Sequence, residues 1–368
     1  MAVDATPLLG HRTGVGTFVA AALAAAARDP GLALRGYALS WLGFRALAQA
    51  LPPGVTPLRA PMPPQPLRWA WGRWEGPAAE WWTGRSAVVH GTNYVVPPTR
   101  RAARVSSIYD LTPVRYPELT AGDPLGYPRL LRRALAGGAW VHTMSSFVAD
   151  EVVEELGADP ERVRVVAGGI PPVAEVDPAR GRALAGTDRY LLCLSTVEPR
   201  KDHPAAVRAF DRLAGDDPEL RLVVAGLEAW GSGALDEAVA AARHRHRIVR
   251  LGYVASDDRA GLLRGARALV FPSRYEGFGL PPLEAMSVGV PVVATRAGSL
   301  PGVLGDAALL VDVGDDDALT EAVAAALGDD GVRRRLVAAG HERAGRFSWS
   351  RCGRELAALY REAARAAS

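Results

Sequence analysis

Short runs of apolar residues alternate along the chain with longer segments in which apolar residues recur every three or four positions. In the second half the apolar runs lie at residues 190–194, 221–225, 248–251, 268–271 and 292–295. Each run has the length of a buried strand, and the segments between them have the periodicity of helices. Strands that alternate with helices form parallel, doubly wound sheets. Because the first half shows the same alternation, the pattern predicts an α/β protein with two such domains.

The boundary between the two domains is predicted from a break in this periodicity. Residues 168–172 read Gly-Gly-Ile-Pro-Pro, and a polar tract then runs to residue 188. Glycine and proline interrupt regular structure, so this segment is typical of an interdomain linker. We place the first domain at residues 1–170 and the second at 171–350. Residues 351–368 form a last amphipathic helix.

Composition narrows the class of protein. The chain has 368 residues, of which 49% are hydrophobic and 23% charged, which is normal for a globular protein. A net charge of +3 does not call for a nucleic-acid partner. Cys193 and Cys352 have no metal-ligand spacing, which favours a reducing compartment. The apolar run at residues 18–27 is too short to span a bilayer, so we expect a cytoplasmic protein.

One stretch, residues 271–295, carries the candidate chemistry. A strand ends at Phe271, a loop with Glu276, Gly277 and Gly279 follows, and the next residues predict a helix. Glycines let a backbone approach a ligand closely, and a helix N-terminus presents N–H groups to an anion. The loop is therefore a candidate phosphate site.

Two glutamates, Glu276 and Glu284, flank this candidate phosphate site. Carboxylates accept hydrogen bonds from sugar hydroxyls, so a ligand with a central diphosphate and hydroxyls at both ends would fit, and a nucleotide sugar has that layout. The alternative is that Glu276 caps the helix and Glu284 is a surface residue.

A second candidate phosphate contact follows the strand at residues 190–194. Arg200 and Lys201 stand where that strand gives way to a helix, and two adjacent cations there suit a diphosphate. Positive charge is unfavourable at a helix N-terminus unless an anion is present. The alternative is a solvated pair of cations near the helix start.

The segment Glu276-Gly-Phe-Gly-Leu-Pro-Pro-Leu-Glu284 resembles the paired-glutamate signature of the retaining glycosyltransferases of family 4, with overall similarity to mannosyltransferase-like members. The resemblance extends from Gly14-Val-Gly16 to the last helix. It implies the GT-B architecture, in which two doubly wound, Rossmann-like domains face a central cleft. The first domain would then bind the acceptor and the second the nucleotide sugar, with the closing helix packing back on the first.

The resemblance also implies roles for individual residues. Arg200 and Lys201 would contact the donor phosphates, Glu276 the donor sugar and Glu284 the ribose. Gly14 and Gly16, in a glycine loop predicted at residues 9–17, would lie against the diphosphate, although an ordinary tight turn before a helix is an equal alternative. The further donor-binding positions implied by the family are Tyr253, Val254, Gly277, Phe278, Gly279 and Leu280, the first two being in the loop that holds the nucleobase.

This chain departs from the family pattern at two places. Family members carry His-Asp at the end of the strand that here spans residues 105–109, where this chain has Tyr109 and Asp110. We expect Tyr109 and Asp110 at the cleft as candidate catalytic residues, with Tyr109 contacting the transferred sugar through a hydrogen bond; the alternative is that Tyr109 packs internally. Residues 299–302 read Ser-Leu-Pro-Gly, and the glutamate usual in the family is missing there.

The activity implied is the transfer of a hexose from a nucleoside diphosphate sugar to an acceptor hydroxyl, with retention of configuration. GDP-mannose is our first expectation for the donor and a UDP-sugar the second; the acceptor is a glycan, a lipid-linked molecule or a natural product. No cofactor and no metal are expected, since Asp315, Asp316 and Asp317 precede a helix and are better explained by capping. The alternatives are a phosphorylase or nucleotide-sugar epimerase on the same fold, or a non-catalytic nucleotide-sugar-binding protein.

Residues 52–66 contain seven prolines, so we expect no regular structure there. The tryptophan-rich stretch that follows has two interpretations. Trp69, Trp71, Trp74, Trp81 and Trp82 are interleaved there with Arg68, Arg73 and Arg85. Aromatic rings and arginines together are typical of a peripheral contact with a membrane surface. The same mixture is typical of a core helix whose arginines extend their charged ends to solvent.

Overall fold

The computed structural model describes residues 1–10, 14–119, 126–229 and 231–367. Over these residues the chain divides into two compact units, one formed by residues 1–169 and 347–368 and the other by residues 170–346. Each unit contains one parallel β-sheet with helices between its strands. The alternating pattern therefore predicted the fold class correctly.

The sheet of the first unit has seven strands among the described residues, in the order β3-β2-β1-β4-β5-β6-β7. The strands are β1 Ala2–Asp4, β2 Leu34–Tyr37, β3 Val55–Pro57, β4 Val88–Gly91, β5 Ala103–Ile108, β6 Trp140–Thr143 and β7 Val163–Val165. The helices that connect them are α1 Gly14–Ala26, α2 Leu47–Ala50, α3 Pro64–Trp71, α4 Glu80–Thr83, α5 Thr112–Arg115, α6 Tyr127–Ala136 and α7 Ser146–Leu156. The order reverses beside β1, and this is where open α/β sheets bind ligands.

The sheet of the second unit has six strands in the described part of the chain, in the order β10-β9-β8-β11-β12-β13. They are β8 Tyr190–Leu194, β9 Arg221–Ala225, β10 Ile248–Gly252, β11 Ala268–Phe271, β12 Val292–Thr295 and β13 Leu309–Val311. The helices are α8 Pro178–Ala185, α9 His203–Leu213, α10 Gly233–Ala241, α11 Ser256–Gly265, α12 Leu280–Ser287, α13 Leu300–Leu304, α14 Asp316–Gly328 and α15 Asp330–Gly345. Here the order reverses between β8 and β11, so the loops after these two strands lie side by side.

The last helix, α16 Trp349–Ala366, belongs to the first unit and packs against α1. Ser348 caps its N-terminus by accepting a hydrogen bond from the N–H of Arg351. Gly353 allows the close approach of the two helices, because a Cβ there would lie 2.6 Å from the backbone of Ala25. Leu356, Leu359 and Tyr360 are buried beneath the helix. Burial of each leucine contributes about 2 kcal/mol to the free energy of unfolding.

The structure corrects two expectations in the first unit. Gly14 and Gly16 lie in the first turn of α1 rather than in a loop before it, and residues 11–13 of the predicted loop lie outside the described residues. The proline-rich segment at residues 52–66 is not devoid of regular structure, since it contains β3 and the start of α3. Proline is tolerated at both places, because β3 is an edge strand and Pro64 opens a helix.

Among the tryptophans of residues 69–82, some fit the interpretation as a core helix and others the interpretation as an exposed membrane-contact surface. Trp71 is buried beneath α3 and donates an indole hydrogen bond to the carbonyl of Pro77. Trp69, Trp74 and Trp81, in contrast, each expose more than half of their surface. Within the described residues, no helix is both long and apolar enough to cross a bilayer.

Of the aspartates at residues 315–317, Asp315 caps a helix, as predicted, and the other two form ion pairs with arginines. Asp315 caps α14 by accepting a hydrogen bond from the N–H of Ala318 at 2.9 Å. Asp316 pairs with Arg208 on α9, and Asp317 pairs with Arg212 on the same helix. Their carboxylates are thus engaged by guanidinium groups.

Candidate functional site

The candidate site of the second unit is built from the loops that follow β8 and β11. Pro199–Lys201 form one short helical turn after β8, and Asp202 ends this turn with a left-handed backbone, at φ 45°. The Asp202 carboxylate accepts a hydrogen bond from Arg274 Nε at 2.9 Å, which stabilises this rare conformation. The N–H of Arg274 also donates to the carbonyl of Arg200 at 2.8 Å. The two loops are therefore joined directly.

Two glycines in left-handed conformations shape this part of the unit, one in the loop after β11 and one in the loop after β12. Gly279, at φ 95°, precedes α12, and a Cβ there would lie 2.6 Å from a methyl group of Leu300. Gly298 has a φ of 56°, and a Cβ there would lie 2.3 Å from the carbonyl oxygen of Glu276. That carbonyl accepts a hydrogen bond from the N–H of Ser299 at 2.8 Å. These close contacts fix the position of Glu276.

Glu276 lies at the centre of a cluster of charged side chains. Its Oε1 accepts from Lys201 Nζ at 2.5 Å and from Ser273 Oγ at 2.7 Å, and its Oε2 accepts from Arg200 Nη1 at 3.2 Å. Arg200 donates further to the carbonyl of Tyr275 at 2.8 Å and to Glu198 Oε1 at 2.7 Å. The structure thus brings together three residues that the sequence placed in separate motifs.

The protonation state of Glu276 follows from this surrounding charge. Only 5% of Glu276 is exposed, and burial by itself would raise the pKa of its carboxyl group. The charges of Lys201 and Arg200 outweigh burial, so the pKa of Glu276 lies below its ordinary value. Burial lowers the pKa of Lys201, an effect opposed by the charge of Glu276. Glu276 is therefore a carboxylate at neutral pH, held between two cations.

Two neighbours complete the surroundings of Lys201. Its ammonium group lies 5.3 Å from the centroid of the Phe271 ring, a cation–π contact. His203, at the start of α9, shares a hydrogen bond of 3.1 Å with Ser195 Oγ. Burial, together with the charge of Lys201, lowers the pKa of His203 to about 4. His203 is therefore neutral at pH 7 and adds no charge to the cluster.

Glu284 occupies a separate part of this unit, on α12. It is 4% exposed and pairs with Arg259 of α11. Burial raises the pKa of Glu284, and the charge of Arg259 opposes this shift. The alternative that Glu276 caps α12 and that Glu284 is a surface residue is wrong, because both are buried and the side chain of Glu276 contacts cations.

The remaining donor-binding candidates surround these two glutamates in the second unit. Gly277, Phe278 and Gly279 form the loop between Glu276 and α12, and Leu280 is the first residue of α12. Tyr253 and Val254 lie in the loop between β10 and α11, where Tyr253 is 61% exposed. An exposed aromatic ring at a strand's carboxyl end provides a surface on which a planar base can stack.

The candidates of the first unit have partners within that unit. The hydroxyl of Tyr109 donates to the carbonyl of Thr92 at 2.6 Å, and its ring lies edge-on to Phe18. Burial raises the pKa of Tyr109, so its hydroxyl keeps its proton. Asp110 Oδ1 accepts from the N–H of Thr112 at 2.9 Å and from the hydroxyl of Tyr94 at 3.1 Å. Both side chains therefore have structural roles in this unit.

Sequence reasoning missed three members of the site in the second unit. Glu198 orients Arg200, Ser273 donates to Glu276, and Arg259 pairs with Glu284. The first two follow directly after β8 and β11, so their positions at strand ends were a usable signal. Arg259 gave no such signal, because it lies inside α11 and meets Glu284 only through packing.

The chemical capacity of the site follows from its donors. The ammonium group of Lys201 has three N–H donors, and its described side-chain hydrogen bond, to Glu276, uses one of them. Lys201 can therefore bind an anion without releasing Glu276. No group of three or more histidine, cysteine or acidic side chains with metal-binding geometry is present among the described residues.

Solved structures share this architecture over the full length of the chain. Sucrose-phosphate synthase from Thermosynechococcus elongatus matches with a TM-score of 0.75 at 20% identity, covering 100% of this chain and 99% of that one. Anabaena Alr3699/HepE, solved in complex with UDP and glucose, matches with a TM-score of 0.71 at 16% identity and covers 97% and 98%. The fold is therefore that of the GT-B glycosyltransferases.

Sequence comparisons identify the family. A model described as glycosyl transferases group 1 matches residues 179–343. The O-antigen chain mannosyltransferase B of Escherichia coli is 33% identical over 274 residues, which cover 72% of this chain and 71% of that protein. The chain belongs to the glycosyl transferases group 1 family, and it is a glycosyltransferase.

Proposed function

We propose that the protein is a retaining, metal-independent transferase that moves a hexose from a nucleoside diphosphate sugar to an acceptor hydroxyl. The observation that carries this proposal is the cluster of Lys201, Arg200 and Glu276. It puts two cations at the carboxyl ends of β8 and β11, where sheets of this kind bind ligands. A buried carboxylate lies between them.

In this proposal Arg200 and Lys201 bind the donor diphosphate. Negative charge grows on the leaving diphosphate as its bond to the sugar breaks, and fixed cations stabilise that charge most effectively where water is scarce. Both side chains are largely buried and are held by Glu276, so little reorganisation is needed when the charge develops. The loop from Gly277 to Leu280 follows directly and supplies the helix N-terminus to the same anion.

The two glutamates would bind hydroxyls at the two ends of the donor. Glu276 is a carboxylate whose oxygens already accept three side-chain hydrogen bonds, so it both positions the cations and faces the sugar. Glu284, held by Arg259, would accept a hydrogen bond from the ribose, while Tyr253 and Val254 would contact the base.

In the transfer step that we propose, no protein side chain acts as a nucleophile, as the resemblance to the retaining glycosyltransferases implies. The acceptor oxygen forms its bond to the anomeric carbon on the face from which the diphosphate leaves, and a phosphate oxygen takes the acceptor proton. Configuration is retained without a covalent sugar–enzyme intermediate. No metal enters this step, because Arg200 and Lys201 neutralise the leaving group.

For the donor we propose GDP-mannose first and a UDP-sugar second. The relative at 33% identity is named a mannosyltransferase, which supports mannose. The structure of Alr3699/HepE with UDP and glucose supports a nucleoside diphosphate in this fold and keeps a UDP-sugar as the second choice. The acceptor is a hydroxyl of a glycan, a lipid-linked molecule or a natural product.

Isothermal titration calorimetry with GDP and UDP tests this proposal. The variant Lys201→Met with Glu276→Gln removes the pair without leaving a buried charge, and it keeps the net charge of the wild type. We expect at least tenfold weaker nucleotide binding, because a charge-assisted hydrogen bond is worth about 1.5–3 kcal/mol. Arg334→Gln with Arg335→Gln, two exposed positions on α15, is the surface control.

The second part of the test is the reaction itself. With GDP-mannose as donor and a panel of hydroxyl acceptors, the product should carry an α-linked sugar, the configuration of the donor. A β-linked product would overturn the retaining mechanism. Equal affinity of the wild type and Lys201→Met/Glu276→Gln for GDP and UDP would overturn the phosphate assignment.

A further inference from the structure

Two neighbouring cavities in the first unit share the side chain of Arg68. The larger, of about 220 Å³, is lined by Arg68, Trp69, Arg73, Tyr127 and Arg129 together with short neighbouring residues. The smaller, of about 90 Å³, is lined by Asp4, Thr6, Asn93 and Arg68, with apolar walls. Arg68 is the residue that lines both cavities, so they lie next to each other.

The larger cavity concentrates positive charge on an aromatic surface. Arg73 stacks over Trp69, with its guanidinium carbon 4.5 Å from the ring centroid, and Arg68 lies 5.9 Å from the centroid of Tyr127. Neither Arg73 nor Arg129 forms an ion pair with a carboxylate anywhere in the described part of the chain. Two arginines at one cavity without a described carboxylate partner, Arg73 and Arg129, favour an anion with several oxygens, such as a phosphate.

The nearest acidic residue in sequence does not neutralise this charge. Glu75 follows Arg73 by two positions, but its carboxylate pairs with Arg104 at 2.8 Å and with Arg133 at 3.6 Å. Arg104 and Arg133 therefore neutralise the charge of Glu75, and Glu75 forms no described ion pair with Arg73. Arg73 and Arg129 are both exposed, so an anion that enters from solvent can reach them.

The smaller cavity has the chemistry of a hydroxyl-binding site. Asp4 is 3% exposed. Both of its described hydrogen bonds come from Thr6, one from the backbone N–H at 2.8 Å and one from Oγ1. Both are accepted by the same carboxyl oxygen, Oδ1. Its other oxygen and the amide of Asn93 can accept and donate to hydroxyls. The volume corresponds to about three water molecules, at about 30 Å³ each. This is enough space for a few hydroxyls of a larger molecule.

We propose that the two cavities together form the acceptor site, and that the acceptor is a hydroxylated molecule carrying a phosphate group. The phosphate binds Arg73 and Arg129, Arg68 bridges the cavities, and the hydroxyl-bearing part points toward Asp4 and Asn93. Trp69 lines the larger cavity, and its ring centroid lies 5.1 Å from that of Trp74; both side chains are more than half exposed. This inference rests on the proposed transferase activity and names its acceptor class.

The phosphate can belong to a molecule free in solution or to a lipid at a membrane surface. Inorganic diphosphate probes the first source. Vesicles of phosphatidylglycerol in phosphatidylcholine probe the second, with pure phosphatidylcholine vesicles as the uncharged reference. Both measurements are made in saturating GDP, so that the second unit does not take up the diphosphate.

The test variant is Arg73→Gln with Arg129→Gln, and the matched control is Arg334→Gln with Arg335→Gln. Both remove two exposed arginines and two positive charges, so a general effect of net charge would appear in both. We expect at least tenfold weaker diphosphate or phosphatidylglycerol binding in the test variant, and less than a twofold change in the control. The wild-type affinity should fall as salt rises, because exposed charges are screened.

The outcomes separate the inference from the proposed function. Loss of diphosphate binding in the test variant supports a phosphate-bearing acceptor in solution, whereas loss of binding to anionic vesicles alone supports the phosphate of a lipid. If the wild type binds neither probe, or if the test variant binds both as the wild type does, the inference is overturned. GDP affinity should be the same in the test variant and the wild type; failure of GDP to bind either would count against the proposed function instead.

Discussion

The hydroxyl of Tyr360 on α16 lies 2.7 Å from His90 Nδ1 on β4. It begins a buried chain of hydrogen bonds through His90 Nε2 to Ser107 Oγ at 2.8 Å, and from Ser107 Oγ to His142 Nδ1 at 2.7 Å. The chain ends where His142 Nε2 meets the carbonyl of Val166 at 3.0 Å. It ties the last helix to three neighbouring strands of the first unit.

The direction of every bond in this chain follows from its last member. A carbonyl only accepts, so His142 carries its proton on Nε2 and accepts from Ser107 at Nδ1. Ser107 must then accept from His90 Nε2, and His90 Nδ1 accepts from Tyr360. Burial lowers the pKa of His142 to about 4, and burial with the neighbouring His142 lowers that of His90. Both imidazoles are neutral at pH 7, as this arrangement requires.

The first prediction is that Tyr360→Phe destabilises the first unit by about 1–3 kcal/mol, since it leaves His90 Nδ1 buried without its donor. Thermal unfolding followed by circular dichroism measures this loss. Tyr253→Phe, at an exposed tyrosine of the second unit, is the control and should leave the unfolding temperature unchanged. An unchanged unfolding temperature in Tyr360→Phe would show that the hydrogen bond contributes nothing to stability.

The second prediction concerns Asp4 and pH. Burial raises the pKa of Asp4 to about 6, an effect that the hydrogen bonds from Thr6 and the charge of Arg68 oppose. The folded state therefore holds this proton more tightly than the unfolded state, whose pKa is 3.8, and stability falls as pH rises between these values. The difference between 3.8 and about 6 corresponds to about 3 kcal/mol.

Asp4→Asn removes this pH dependence while keeping an oxygen that can accept from Thr6. We expect Asp4→Asn to be more stable than the wild type above pH 6. The stability of Asp4→Asn itself should be nearly the same above pH 6 as at pH 4. Urea unfolding at pH 4, 5, 6 and 7.5 measures the difference. Asp312→Asn, at a mostly exposed aspartate, should show no such trend. A constant difference between Asp4→Asn and the wild type at all four pH values would contradict the raised pKa.

The third prediction separates the two interpretations of Tyr109. Its hydroxyl bonds to the carbonyl of Thr92, which favours internal packing over contact with the sugar. We expect Tyr109→Phe to lose about 0.5–1.5 kcal/mol of stability while keeping wild-type turnover. Steady-state kinetics and thermal unfolding of the same preparation measure both quantities. A fall in turnover with unchanged stability would instead support a hydrogen bond to the transferred sugar.

The fourth prediction is that transfer activity persists in EDTA. Lys201 and Arg200 supply positive charge at the proposed diphosphate site, so a divalent cation is not needed to stabilise the leaving group. Activity is measured with GDP-mannose before and after dialysis against EDTA. Loss of activity that is restored by manganese or magnesium, and not by calcium, would refute metal independence.

Local sequence determined the elements and several of their ends. The apolar runs predicted five of the six strands described in the second sheet, because strand and helix periodicities are set by neighbours a few residues apart. Asp315 was recognisable as a cap for the same reason. The position of Gly14 and Gly16 was misjudged, since glycine favours loops but is accepted in the first turn of a helix. The proline-rich β3 was missed because its edge position is not visible in its own sequence.

Only the tertiary structure decided which polar residues meet. Lys201 reaches Glu276 across 75 positions of sequence, and Tyr360 reaches His90 across 270. Such contacts depend on which strands become neighbours and on which helix covers them, and no local propensity encodes that. The energetic reason is that a buried charge or imidazole is stable only beside its partner. The sequence therefore determined that Glu276, Arg200 and Lys201 lie at strand ends, and the order of strands in the sheet decided that they form one site.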